Sequence, residues 1–328
     1  MKKLEILIPQ YKEKENIILP LLRSIELQQN VDVKNNVGVI ICSDSDDEKD
    51  WLSEDFFKSF NIDIKYIHHP HSGVSSARNA CLDAATADYV MFCDADDMFY
   101  NMCGLWIVFR EMEGEGFNAL SSIFVEETRD KETGNIIYIN REMDSVFVHG
   151  KIYNRKFLIK NNIRFNDSLT IHEDSYFNCL AQKIAGEVKY SQTPFYLWRW
   201  RDESVCRHDP KYILKTYINM LDSSTALVEE FITRGRLADA QFYSTFMIYD
   251  AYYMMNKSEW LKQENQDFRN NTEKRFKEYY NKFKKLFEEI DDSIKSQIII
   301  GMKNRFFNEG MYMEIITFND WIDHILTL

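Results

Sequence analysis

Short apolar runs alternate with helical patterns along the first hundred residues of the chain. The apolar runs predict four β-strands, Leu4–Ile8, Val37–Cys42, Ile62–Ile67 and Tyr89–Cys93. The helix between the first two strands has Leu21, Leu22 and Ile25 on one face, and Pro20 is expected near its start. This alternation is typical of strands joined by crossover helices, so it predicts an α/β fold with a mostly parallel sheet.

After Asp97 the pattern becomes mixed. The predicted elements there are a helix near Leu105–Met112, strands at Ala119–Val125 and Ile136–Ile139, a helix from about Glu173 that ends at Gly186, and an extended segment at Val188–Trp198. From Pro210 onward there is no further proline, only three glycines occur, and apolar residues recur at helical spacing. Residues 1–208 are therefore predicted to form the domain that carries the chemistry, and residues 209–328 a helical C-terminal domain.

Composition narrows the choice of function and location. The chain has 40 Lys and Arg against 52 Asp and Glu, a net charge of −12, which argues against nucleic acid as a partner. Its six cysteines form no C-x-x-C pair, and no apolar stretch is long enough for a membrane helix, so we expect a soluble cytoplasmic protein. Peripheral contact with a membrane and the oligomeric state are both left open.

A basic, amphipathic stretch lies at residues 269–285. Its aromatic residues Phe276, Tyr280, Phe283 and Phe287 share one face at helical spacing. Contact with anionic lipid or a nucleic-acid acceptor is one interpretation. The preferred interpretation is a helix that packs its aromatic face inward.

A cluster of carboxylates carries the sharpest chemical signal. The predicted strand at Tyr89–Cys93 is followed at once by Asp94, Asp96 and Asp97. Asp94 and Asp96 would share an orientation in an extended chain and could converge on one hard cation, which would bridge to substrate phosphates. The alternative is a solvated acidic turn in which Asp97 caps the next helix. A divalent ion, Mn²⁺ or Mg²⁺, and a phosphorylated donor are expected.

Several further motifs occur in a fixed order around this cluster. They are Ile6-Leu-Ile-Pro9-Gln-Tyr11-Lys-Glu13, Ile41-Cys-Ser-Asp44-Ser45, His71-Ser-Gly73-Val-Ser-Ser-Ala77-Arg78-Asn79 and Glu173-Asp174-Ser-Tyr-Phe177. Together with Asp94-Ala-Asp96-Asp97, they resemble the family 2 glycosyltransferases over roughly residues 3–208. The resemblance implies a GT-A fold and a metal-dependent transfer of sugar from a nucleotide diphosphate, by default a UDP-sugar, to an acceptor hydroxyl, with inversion at the anomeric carbon.

The resemblance also implies roles for individual residues. The base and ribose of the donor would be held by Pro9, Tyr11, Glu13 and Asp44, with Arg78 at the base or phosphate. Asp94 would lie near the ribose and share the metal with Asp96, and Asp174 would be the general base that deprotonates the acceptor. The acceptor is expected to be a surface glycan, a glycolipid or a protein.

Other side chains near these motifs have competing interpretations. Arg201 follows the predicted base at the position of a loop over the donor, where it could hold the diphosphate, and the indole of Trp198 or Trp200 could stack on sugar or acceptor. The alternative is that the tryptophans belong to the core and the arginines to the surface. His71 replaces the asparagine that the family's N-x-G motif carries. With His68 and His69 it crowds the end of the third predicted strand, where a metal site is one interpretation and a solvated loop or the edge of the donor pocket is the preferred one. For His149, an ordinary hydrogen-bonded histidine is the preferred interpretation.

Three other functions compete with glycosyl transfer. A phosphatase of the haloacid-dehalogenase type also uses Asp-x-Asp after a strand, but there that strand usually opens the fold, whereas three strands precede it here. A nucleotidyltransferase generally has a glycine-rich phosphate loop, which Pro9–Glu13 lacks. A non-catalytic module that binds nucleotide sugars stays open.

Overall fold

The computed structural model describes residues 2–114, 116–130, 132–142, 144–202, 216–257, 266–308, 310 and 312–328. The chain divides into two compact units, Met1–Asp202 and Glu203–Leu328. The boundary predicted between residues 208 and 209 lies outside the described residues.

A single nine-stranded sheet forms the centre of the first unit. Its strands are β1 (Leu4–Gln10), β2 (Val37–Asp44), β3 (Asp63–His69), β4 (Tyr89–Phe92), β5 (Met98–Phe99), β6 (Ala119–Arg129), β7 (Ile136–Arg141), β8 (Lys151–Asn154) and β9 (Val188–Trp198). The order across the sheet is β3-β2-β1-β4-β8-β6-β9-β5, and β7 pairs with β6. Strands β1 to β4 are parallel, and β8 is antiparallel to both β4 and β6.

The strands β1 and β2 are buried along nearly their whole length, as is typical of parallel strands that are covered on both faces. In β1, Leu4, Ile6, Leu7 and Ile8 are all completely buried. The four strands predicted in this region are present, and β1 and β2 each extend two residues beyond the predicted end. Those extensions carry polar residues to the carboxyl edge of the sheet.

Seven α-helices lie within the described residues of the first unit. They are α1 (Glu15–Glu26), α2 (Val33–Asn36), α3 (Glu54–Lys58), α4 (Val74–Ala84), α5 (Gly104–Met112), α6 (Arg155–Lys160) and α7 (Glu173–Ala185). Helix α1 begins at Glu15, so Pro20 lies in its second turn rather than at its start. The helix tolerates the lost backbone hydrogen bond because Ile18, Leu21, Leu22 and Ile25 are fully buried.

The second unit is helical within its described residues, as the spacing of its apolar residues predicts. Its helices are α8 (Tyr217–Thr233), α9 (Leu237–Lys257), α10 (Gln266–Glu289), α11 (Asp292–Asn308) and α12 (Ile315–Thr327). The aromatic stripe of α10 is buried, with Phe276 fully enclosed 4.6 Å from the ring of Trp321. The expectation that this face packs inward is confirmed. Every helix in the described part of the chain is too short or too polar to cross a bilayer.

The carboxyl ends of β1, β2 and β4 meet at one edge of the sheet because these strands are parallel neighbours. Helix α4 starts beside the same edge, after a loop in which Gly73 has a φ of +94°. A side chain at that position would be strained, so glycine permits the sharp entry into the helix. The topology thus gathers the ends of three strands and the start of one helix around a common cleft.

Candidate functional site

A cavity of about 330 Å³ opens at this carboxyl edge of the sheet. It is lined by seven of the residues that the sequence singles out: Pro9, Tyr11, Glu13, Asp44, Arg78, Asp94 and Asp96. His71, Gly73 and Ala77 complete much of the wall. The other two predicted residues, Asp174 and Arg201, are not among the described residues that line it, but both belong to the same cluster of charges.

The three aspartates that follow β4 lie on a turn. The strand ends at Phe92, and the Asp97 amide donates to the Asp94 carbonyl at 3.2 Å. The predicted extended chain at Asp94–Asp96 is therefore wrong, although the two carboxylates line the same cavity. Both carboxylates reach the cavity because the turn exposes them in part, while Ala95 and Asp97 are buried.

Arg78 is the centre of the charge cluster. One of its terminal nitrogens donates to Asp94 Oδ1 and the other to Glu173 Oε1, each at 2.8 Å. The residue is only 4% exposed, so its two carboxylate partners compensate a buried charge. Burial alone would raise the pKa of Asp94, but the adjacent Arg78 outweighs it and holds the pKa below its usual value. Asp94 is therefore ionised at neutral pH.

Asp96 is held by the segment that follows β9. Arg201 Nη1 lies 2.9 Å from Asp96 Oδ2, and Arg199 Nη1 donates to the Asp96 carbonyl at 3.2 Å. The structure thus brings Arg201 to the carboxylate that the sequence predicts as a metal ligand. A cation at Asp96 would compete with this guanidinium, which could then turn toward the phosphates of a ligand.

Hydrogen bonds among buried polar groups hold the turn at residues 94–97 in place. Asp97, 1% exposed, accepts from the hydroxyl of Tyr196 and from the Arg199 amide, and His149 Nδ1 lies 3.0 Å from the same hydroxyl. Burial, followed by the charges of Asp96 and Asp94, raises the pKa of Asp97 well above its usual range. Burial also lowers the pKa of His149 to about 4. His149 is therefore a neutral, hydrogen-bonded histidine at pH 7, as the preferred interpretation has it.

The side-chain atoms around the turn that could coordinate a metal suit a hard divalent cation. Asp94, Asp97 and His149 each offer one ligand atom, and these atoms lie within 4.8 Å of one another. Both oxygens of Asp97 already accept hydrogen bonds, whereas Asp94 and Asp96 line the open cavity. Carboxylate oxygens are the ligands that Mg²⁺ and Mn²⁺ prefer. Asp94 is the residue common to the predicted pair and to this three-residue group.

Asp174 lies in the first turn of α7, directly after Glu173. Its side chain is partly exposed, and the Ser175 amide donates to its Oδ1 at 2.7 Å. Burial, followed by the negative charge of Glu173, raises the pKa of Asp174 to about 7, although Arg78 opposes the shift. A carboxylate with a pKa near neutrality can accept a proton from an attacking hydroxyl at physiological pH.

The other end of the cavity is built from the loop before α4 and from the end of β1. The Asp44 carboxylate accepts from the backbone amides of Ser72 at 2.8 Å and Gly73 at 3.0 Å. The ring of His71 stacks on Tyr11, with centroids 4.7 Å apart and planes 16° apart. Glu13 turns back to accept from the Tyr11 amide. This wall presents flat rings and a small number of polar groups to a ligand.

Several side chains of this cluster had no role assigned from the sequence. Glu173 pairs with Arg78 and was signalled only by its place in the motif with Asp174. Tyr196 gave no signal, since it lies within an ordinary strand pattern. Lys151 is 1% exposed with its Nζ 3.5 Å from Asp144 Oδ1, and burial lowers its pKa. Buried lysine is rare, but a sequence does not reveal which lysine is buried.

Comparison with known proteins relates this arrangement to a family. Residues 5–167 match the family model described as glycosyl transferase family 2. The uncharacterized glycosyltransferase EpsJ of Bacillus subtilis is 25% identical over 190 residues, which are 52% of this chain and 55% of EpsJ. The poly(ribitol-phosphate) beta-N-acetylglucosaminyltransferase TarS of Staphylococcus aureus is 23% identical over 219 residues, 62% of this chain and 36% of TarS. The chain therefore spans about half or less of the length of these two relatives.

Solved structures share the fold. Residues 1–349 of TarS in complex with UDP-GlcNAc align with a TM-score of 0.64 and 14% identity, covering 96% of this chain and 93% of that one. The mannosyltransferase PcManGT from Pyrobaculum calidifontis, in complex with GDP-Man and Mn²⁺, aligns with a TM-score of 0.50 and 12% identity over 69% of this chain and 64% of that one. The likeness confirms the predicted GT-A fold.

Proposed function

Since the chain belongs, through residues 5–167, to glycosyl transferase family 2, we propose that it transfers a sugar from a nucleotide diphosphate to an acceptor hydroxyl. The observation that carries the proposal is the cavity at the carboxyl edge of the sheet. Two half-exposed carboxylates, Asp94 and Asp96, line it, and Asp174, with a pKa of about 7, lies in the same charge cluster. The two carboxylates that line the cavity suit the side of the leaving diphosphate in a displacement reaction, and Asp174 suits the side of the attacking hydroxyl.

The proposed donor is a UDP-sugar. Pro9, Tyr11 and Glu13 form the wall toward the base and ribose, and the stacked rings of Tyr11 and His71 favour a flat base. UDP-GlcNAc is bound in one structural neighbour and GDP-Man in another, so fold likeness alone does not choose between uridine and guanosine. UDP is proposed because TarS aligns over nearly the whole chain.

The proposed cofactor is Mn²⁺ or Mg²⁺, held by Asp96 together with Asp94. When bound, such an ion neutralises the charge that grows on the departing diphosphate. Arg201 lies 2.9 Å from Asp96, so it is positioned to hold a phosphate oxygen once the carboxylate binds a cation. Arg78 holds Asp94 ionised and oriented for this task.

The proposed general base is Asp174. It would remove the proton of the acceptor hydroxyl while that oxygen attacks the anomeric carbon from the side opposite the leaving diphosphate. One such displacement inverts the configuration at this carbon. The pair between Glu173 and Arg78 ties the start of α7 to the donor cavity and so fixes the position of the base.

The proposed acceptor is a glycan, because TarS is named for transfer to poly(ribitol-phosphate). A glycolipid or a protein hydroxyl is the alternative acceptor. The net charge of −12 argues against nucleic acid. A cytoplasmic location is also proposed, and it is supported by the five free cysteines among the described residues, which suit a reducing compartment.

A thermal-shift experiment tests donor and metal together. UDP-GlcNAc with Mn²⁺ is expected to stabilise the protein by ~2.7 kcal/mol at a ligand concentration of 100 Kd. This corresponds to a rise of roughly 5 °C in melting temperature. The rise should vanish with a chelator and in Asp96→Asn, because both remove the cation that bridges to the diphosphate.

The matched control is Asp55→Asn, a change on the exposed surface of α3. It should keep the full shift. The same rise in melting temperature with chelator present, or in Asp96→Asn, would contradict metal-dependent donor binding.

A further inference from the structure

The carboxylate of Asp44 is fully engaged by the loop before α4. Oδ1 accepts from the Ser72 amide, and Oδ2 accepts from the Gly73 amide and lies 3.0 Å from His71 Nδ1. The side chain is only 4% exposed. Of the two side chains, both of which line the cavity, the imidazole of His71 is therefore far more accessible to a ligand than the carboxylate of Asp44.

The contacts of His71 fix the position of its ring proton. Nδ1 lies 3.0 Å from the Asp44 carbonyl and 3.0 Å from Asp44 Oδ2, and both of these atoms are acceptors. Nδ1 must therefore carry the proton, and in the neutral ring Nε2 is left as an acceptor. The side chain is 50% exposed and lines the cavity. The cavity is thus offered a hydrogen-bond acceptor with a set orientation.

The ring of Tyr11 lies nearly parallel to the imidazole that carries this acceptor. Its ring lies 16° from parallel to the imidazole at a centroid distance of 4.7 Å, which is an offset stack. A base that donates to Nε2 in the plane of the imidazole would lie parallel to the Tyr11 ring. Stacking and hydrogen bonding would then act on the base at once.

We propose that His71 selects the nucleobase of the donor, with Nε2 accepting the imino N3–H of uracil. Cytosine has a lone pair at N3, so it would face Nε2 acceptor to acceptor and lose the hydrogen bond. A site built around one hydrogen bond discriminates strongly against an analogue that cannot form it. This inference rests on the proposed function, because it assigns a specificity-determining residue to the donor cavity.

Calorimetric titration with UDP and CDP tests the assignment. The two nucleotides share the diphosphate and ribose and differ at the base edge, and both are titrated at pH 8 with Mn²⁺. The wild-type protein is expected to bind UDP at least about 10-fold more tightly than CDP. His71→Phe retains a ring against Tyr11 but no acceptor, so the ratio should fall below about 3-fold. His71→Ala should lower the ratio in the same way.

His69→Ala is the matched control, because His69 contacts Pro70 and Ser76 and is absent from the described cavity wall. It should keep the wild-type ratio. Equal binding of UDP and CDP by the wild type would overturn the role of His71 but not the proposed function. An unchanged ratio in a folded His71→Phe protein would have the same consequence. Failure of the wild type to bind either nucleotide overturns the proposed function and this inference together.

Discussion

Arg78 forms ion pairs with two carboxylates and so balances part of the negative charge of the site. Its guanidinium neutralises Asp94 and Glu173, and Arg201 neutralises Asp96. Asp174 gives the cluster a further carboxyl group whose ionisation adds negative charge. Loss of Arg78 would leave paired charges buried and uncompensated, a change that typically costs about 3–5 kcal/mol. The arginine therefore stabilises the fold and also keeps the carboxylates oriented toward the cavity.

The pKa of Asp174 predicts the pH dependence of turnover. A general base works only when ionised, and one pH unit below a pKa of about 7 only roughly a tenth of the carboxyl is ionised. The rate of UDP release from UDP-GlcNAc is therefore expected to rise with pH through about 7 and then level off. Asp174→Asn should lower the rate by at least ~100-fold while UDP binding stays unchanged.

Asp167→Asn, on the exposed loop before α7, is the control for this profile and should leave it unaltered. The role of Asp174 as base would be refuted by a wild-type rate in Asp174→Asn. A rate independent of pH between 5 and 8 would refute it as well.

At the residue scale, the sequence identified side chains that the structure brings together, but not their partners. Seven of the nine predicted residues line one cavity, because they lie at the carboxyl ends of neighbouring parallel strands or, for Arg78, on the helix that starts beside them. The pair between Arg78 and Glu173 joins residues 95 positions apart, and no local pattern encodes it. The engagement of Asp44 by the loop at His71 likewise depends on tertiary contact.

At the scale of elements, the strands that form apolar runs were predictable, whereas β5 and β8 were not. β1, β2 and β4 are buried apolar runs. β5 has two residues, too few for a pattern, and β8 begins with the buried Lys151, which resembles a surface residue. The turn at residues 94–97 was only the alternative interpretation, because a polar run after a strand does not reveal whether it stays extended.

The aromatic stripe of α10 predicts where the helical unit draws its stability. Phe276 is fully buried, so Phe276→Ala should lower the free energy of unfolding of this unit by ~3–5 kcal/mol through lost contacts and a cavity. Native-state hydrogen exchange should show faster exchange in peptides from α8 and α10. Helix α8 is included because Ser224 hydrogen-bonds Tyr279 of α10 at 2.9 Å.

Lys274→Ala, on the exposed face of the same helix, should leave the exchange nearly unchanged. Equal protection in the Phe276→Ala and Lys274→Ala proteins would mean that the stripe is not the core of the unit.

For the whole molecule, the family match and the cavity both belong to the first unit, and the helical unit has no assigned function. The fold class was predictable because alternating strands and helices admit few arrangements. The sugar and the acceptor were not predictable from the sequence, since they depend on surface detail that the residue pattern does not encode. Acceptor identity is the open question for a chain that spans only 55% of one relative and 36% of another.

The proposed reaction requires that a cation at Asp96 and a base at Asp174 act together on a nucleotide sugar. The direct measurement is the rate of UDP release from UDP-GlcNAc with Mn²⁺, with water as acceptor, in the wild type, Asp96→Ala, Asp174→Asn and the Asp55→Asn control. We predict release by the wild type and the control, and background rates in the other two variants and with chelator. Release at the wild-type rate by Asp96→Ala, or undiminished release with chelator, would contradict the claim.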